Sequence, residues 1–165
     1  MRPWEWKGYR RCARPGRSIV EVGWPIASAL VLHLNYQSYL EIVGHVYDGL
    51  PNEACGLLGG HAADGRVEQF YATRNAAASS RVYTVDPVEH LRADRDAEDR
   101  GFEIIGVVHS HTHTEPYPSP TDVAQAPDPT WHYVIVSLKR EQPELRSYRI
   151  VDGQIAEEAV VIEDR

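Results

Sequence analysis

From Ala29 onward the apolar and polar positions fall into short blocks with clear periods. Leu30, Val31, Leu32 and Leu34 predict a first strand. Tyr39, Leu40, Val43, Val46 and Tyr47 recur at helical spacing across 36–47, and Gly49 and Pro51 end that helix. Cys55 to Gly60 is a short apolar run with glycines, as in a buried strand. Asp64-Gly65 is a hairpin signal leading into a strand at Val67 to Thr73, and Arg81 to Val85 carries a further strand pattern.

A second helix is predicted from Pro87, with Asp86 as N-cap, Glu89 in the first turn and Gly101 closing it. Its charges alternate in sign from Arg92 to Arg100, as on a solvated face. Phe102 to Val108 is an unbroken apolar and β-branched run, the mark of a central strand buried on both faces. A loop rich in Pro, Ser and Thr follows, then a short helix from Pro120. Strands at Tyr133–Leu138, Leu145–Val151 and Ile155–Ile162 complete the set, with Asp152-Gly153 turning between the last two. These elements predict one α/β domain with a mixed central sheet, two long helices and one short one.

Composition narrows the function classes. The 165 residues suit a single domain, and 42% hydrophobic with 25% charged residues is a globular profile. A net charge of -7 argues against a general nucleic-acid binder. No apolar run approaches a membrane span, and Trp4, Glu5, Glu21 and Pro25 interrupt anything like a signal-peptide core. Cys12 and Cys55, without paired spacing, fit a reduced, cytoplasmic protein. Residues 1–28 stand apart. Six basic residues lie within 1–21 against two acidic ones, and Trp4, Trp6 and Trp24 also fall in this segment. It is expected to be a basic, poorly ordered extension preceding a domain at 29–165; a role as an arm for an anionic partner is the competing reading.

The chemistry concentrates after the central strand, in His109-Ser110-His111-Thr112-His113, with Ser119-Pro120-Thr121-Asp122 following. Histidines two apart on a strand point to one side of the sheet. With Asp122 as an oxygen donor they make a two-His, one-carboxylate set with an open position, as suits catalytic zinc. Each part has a plainer meaning alone. His-x-His occurs in cores and on surfaces, and Ser119 to Asp122 also reads as a helix start. His113 is expected at the rim, because Pro116 and Pro118 end the strand pattern.

His-Ser-His, seven residues, Ser, two residues, Asp resembles the signature of the JAMM (MPN-plus, Mov34-type) metalloproteases. The segment Glu53-Ala54-Cys55-Gly56-Leu57-Leu58-Gly59-Gly60 is similar to that family's upstream Glu-x-x-Gly-x-Leu-x-Gly. The likeness runs from about Leu30 to Glu158 and is greatest to small actinobacterial-type peptidases acting on a ubiquitin-like sulfur carrier. It implies a three-layer, cytidine-deaminase-like α/β fold. It implies one zinc ion per chain on His109, His111 and Asp122, with Glu53 as general base and Ser119 as hydrogen-bond donor to the oxyanion.

The implied substrate is the amide between a carrier's Gly-Gly terminus and cysteine, with cysteine released for biosynthesis. Only Val123 to Trp131 separate Asp122 from the next strand, which leaves no room there for a large substrate-gripping insertion. Two other readings stand beside this one. A cell-wall or phage-tail-type peptidase of the same family would be expected to carry a second peptidase domain, and the sequence stops at Arg165 without one. A non-catalytic MPN scaffold would be expected to lack the ligand residues, all of which are present here.

Overall fold

The computed structural model describes residues 31–164, so the basic extension and Cys12 lie outside the described residues. The order is β1 (Val31–Asn35), α1 (Tyr36–Asp48), β2 (Cys55–His61), β3 (Arg66–Thr73), α2 (Pro87–Asp99), β4 (Glu103–His111), α3 (Pro120–Ala124), β5 (His132–Ser137), β6 (Glu144–Val151) and β7 (Gln154–Glu163). The strands lie side by side as β1-β3-β2-β4-β5-β6-β7, and β1 returns to pair with β7, so the sheet curls into a closed ring. The seam is parallel, matching Val31 to Ala159 through Asn35 to Glu163, while β1 meets β3 only at His33 and Arg66. The sheet is mixed, as expected: β4 runs parallel to β5, and β2 runs antiparallel to both β3 and β4.

Apolar residues on both sides of the strands give two cores. The inner one takes Leu34, Leu58, Val67, Val108, Val134 and Val136 and receives Ile42 and Val46 of α1. The outer one takes Leu57, Val107, Tyr133, Ile135 and Tyr148 and receives Ala93 and Ala97 of α2. Consecutive residues such as Leu57 and Leu58 thus serve opposite faces, which is why the central runs are apolar without alternation. A bulge in β4 refines this pattern. Leu58 pairs with Gly106 and Gly59 with Ile104, leaving Ile105 as an extra residue whose side chain enters the inner core.

The helix starts follow local chemistry. Asn35 caps α1 by accepting the Ser38 N–H at 2.7 Å. Asp86 caps α2 by accepting the N–H groups of Val88 and Glu89, and its other oxygen pairs with Arg74. Gly101 ends α2 at φ +83°, a left-handed conformation that an L side chain resists.

One predicted element is absent. Residues 81–85 form no strand; they share a single bridge between Val85 and Asn75. Their β-like composition lacks a neighbouring strand, and the loop's own hydrogen bonds replace a ladder. β4, in turn, runs three residues beyond its predicted end and carries both histidines of the motif on regular strand.

Candidate active site

β4 positions the first two residues. His109 and His111 project to the outer side, at the end of the strand nearest α3. Both are buried, His109 at 1% exposure and His111 at 4%. Their Nε2 atoms stand 3.1 Å apart. The His111 Nδ1–H donates to the Glu115 carbonyl at 2.8 Å, which turns the Nε2 lone pair toward His109. The Thr114 hydroxyl lies 2.9 Å from the same Nδ1. Tyr83 stacks on the His109 ring, 4.2 Å between centroids and 18° between planes.

α3 supplies the third residue through a capping box. The Ser119 Oγ accepts the Asp122 N–H at 3.2 Å, and Asp122 Oδ2 accepts the Ser119 N–H at 2.7 Å. The carboxylate then faces both imidazoles, with Oδ1 3.5 Å from His109 Nε2 and Oδ2 3.5 Å from His111 Nε2. One ligand atom from each of His109, His111 and Asp122 converges within 4.8 Å. Ligands about 2.0–2.2 Å from a tetrahedral ion lie roughly 3.3–3.5 Å from one another, so the donor set fits zinc in type and spacing. His113 is exposed and outside the cluster.

Burial and the converging charges shape the ionisation. Burial pushes the Asp122 carboxyl up, but the two imidazoles outweigh it and hold Asp122 well below the carboxylate range. Burial drives His109 down. His111, also opposed by burial, is raised on balance by Asp122 and the Glu115 carbonyl.

Glu53 enters from the turn before β2 and is 6% exposed. Burial raises its pKa to about 7, against the opposing pull of His111 and with a smaller push from Asp122. Its N–H donates to the Ser79 carbonyl at 2.8 Å and its carbonyl accepts from Asn75 at 2.8 Å. The next residue, Ala54, donates its N–H to Ser110 Oγ at 2.8 Å and accepts the Ser110 N–H at 3.0 Å. The middle residue of His-Ser-His therefore points inward and ties the Glu53 turn to β4.

Residues 36–151 fit the family described as prokaryotic homologs of the JAB domain. The chain belongs to that family. This JAB domain is 43% identical over 120 residues to the CysO-cysteine peptidase of Mycobacterium tuberculosis, covering 72% of this chain and 82% of that protein. It is 30% identical over 128 residues to the desampylase of Pyrococcus furiosus, covering 77% and 88%. A protein from Desulfitobacterium hafniense, solved in solution, superposes with a TM-score of 0.75 at 34% identity, covering 81% of this chain and 94% of that one. The family read from the motif is thereby borne out, as is the α/β fold. No helix of the described residues is long and apolar enough to cross a membrane.

Three residues around the JAB site were not singled out from sequence. Ser110 lay inside the motif, between the two histidines, with no signal of its own. Tyr83 sat in the pattern read as a strand. Asn75 gave no cue beyond being an amide in a loop.

Proposed function

We propose that this chain is a zinc-dependent JAMM-type peptidase that hydrolyses the amide at the C-terminal glycine of a ubiquitin-like sulfur-carrier protein, releasing cysteine in the cytoplasm for cysteine biosynthesis. The carrying observation is the convergence of His109, His111 and Asp122 beside buried Glu53 in a JAB domain. The substrate class is supported by the likeness to a CysO-cysteine peptidase and a desampylase. Residues 29–165 form the catalytic domain and 1–28 the extension. Neither nucleic acid nor membrane is a partner in this reading.

His109, His111 and Asp122 would hold the metal. When bound there, zinc would supply Lewis-acid polarisation of the amide carbonyl and would lower the pKa of water to roughly 7. Glu53 takes a proton from the attacking water and returns it to the leaving amine, a task suited to a carboxylate raised to about 7. The Ser119 hydroxyl uses its oxygen to cap α3 and keeps its hydrogen for the oxyanion.

The test is incubation of the purified, zinc-loaded chain with a CysO–cysteine adduct, following released cysteine by mass spectrometry. Cleavage that a chelator stops and zinc restores supports the reading. An intact adduct with full metal occupancy rejects the substrate, and failure to bind zinc rejects the site.

A further inference from the structure

The loop between β3 and α2 is built around one side chain. The Asn75 Nδ2 group donates to the carbonyls of Glu53 at 2.8 Å and Val82 at 3.1 Å, with a longer 3.4 Å contact to the Ser79 carbonyl. Its Oδ1 accepts the N–H groups of Ala77 and Thr84, both at 3.0 Å. Two acceptor bonds fill the oxygen, and three carbonyls surround the amine, so the carboxamide is saturated in a single orientation.

This loop touches the site at three places. Its Ser79 carbonyl receives the Glu53 N–H. Its Tyr83 ring covers His109. Its Ser80 carbonyl accepts the Thr112 hydroxyl at 3.3 Å. The loop therefore holds the backbone on both sides of Glu53, the N–H through Ser79 and the carbonyl through Asn75.

We infer that Asn75 is a positioning residue: its carboxamide locks the Glu53 backbone and the Tyr83 segment into one unit and so sets the rate of turnover without touching substrate. The inference rests on the function proposed above. A buried carboxylate can shuttle a proton only from one place, and a misplacement of about 1 Å in such a group can cost on the order of 10²-fold in rate. The loop backbone has no ladder to hold it, since residues 81–85 share only one bridge with Asn75. The carboxamide supplies the cross-links that strand pairing does not.

The test compares Asn75→Ala and Asn75→Asp with the parent, all zinc-loaded, on release of cysteine from a CysO–cysteine adduct. Asn75→Asp keeps the acceptors for Ala77 and Thr84 but can no longer donate to the Glu53 carbonyl. The expected result is a kcat about 10²-fold lower in both, with KM within about threefold and metal content unchanged. Hydrogen exchange at the Glu53 amide should quicken in both.

A double variant with Glu53→Gln, followed over long single-turnover incubations, should be no slower than Glu53→Gln alone, because Asn75 acts through that carboxylate. The proposal is overturned if Asn75→Ala, folded and metal-loaded, turns over within about threefold of the parent, or if its loss multiplies with that of Glu53→Gln. Should Asn75→Ala fail to fold, Asn75→Ser takes its place with the same outcomes. A Glu53→Gln chain that still turns over normally would instead reject the proposed function.

Discussion

Ser119 and Asp122 hold each other in place, the hydroxyl oxygen accepting one N–H at 3.2 Å and the carboxylate accepting the other at 2.7 Å. The same carboxylate faces two imidazoles, so capping the helix and aiming the carboxylate are one arrangement. Ser119→Ala should cost about 1 kcal/mol of stability through the lost cap. It should also lower kcat by roughly 10²–10³-fold through the lost oxyanion donor. Metal analysis beside steady-state kinetics checks this; full metal content with unchanged kcat would remove Ser119 from the mechanism.

Metal removal should act on stability as well as turnover. Chelation is expected to stop hydrolysis and to lower the melting temperature by several degrees, since a ligand that binds only the folded state stabilises it. His109→Ala, His111→Ala and Asp122→Ala should each lose metal and activity together. Calorimetric melts with and without zinc, paired with elemental analysis, decide it.

Glu53→Gln should keep metal and lose turnover by about 10²-fold or more. The metal-free chain offers a second readout. Because the folded pKa of about 7 lies above the ordinary glutamate value of about 4.5, the unfolded state releases this proton first. The contribution of Glu53 to stability should therefore fall as pH rises from about 4.5 to about 7 and level off above. The loss is on the order of 3 kcal/mol, and Glu53→Gln should abolish it. Urea titrations of chelated protein across that range measure the difference.

At the far end of β5 a buried network has the opposite sign. His132 Nδ1–H donates to Glu158 at 2.7 Å, its Nε2 accepts from Arg149 at 2.9 Å, and the Ser147 hydroxyl donates to Glu158 at 2.6 Å. Burial pushes the Glu158 carboxyl up, but His132, Ser147 and Arg149 together hold it below its usual value. The stability this confers is present above the ordinary glutamate pKa of about 4.5 and lost as pH falls through the folded value. Glu158→Gln should cost about 3 kcal/mol near neutral pH by breaking a buried pair, and less in acid. Denaturant melts at the two pH values test it.

Much of this is legible in the sequence. The two-residue period of a strand set His109 and His111 side by side, and the Ser-Pro-x-Asp helix start gave Asp122 its turn. What sequence patterning misses is partnership. Residues 81–85 look like a strand but have no strand beside them. Ser110 earns its role from Ala54, 56 positions away in the chain. The closure of the ring joins β1 to β7 across more than a hundred residues, and no local period records such a pairing.

The stacking of Tyr83 on His109 carries one more consequence. Nδ1 of His109 is buried with no hydrogen-bond partner among the described residues, so no acceptor fixes that ring from behind. An aromatic face carried by the 75–85 loop does so instead. The orientation of that imidazole therefore depends on a loop remote from its own strand, so that a substitution at Tyr83 reaches His109 without removing any of its hydrogen bonds.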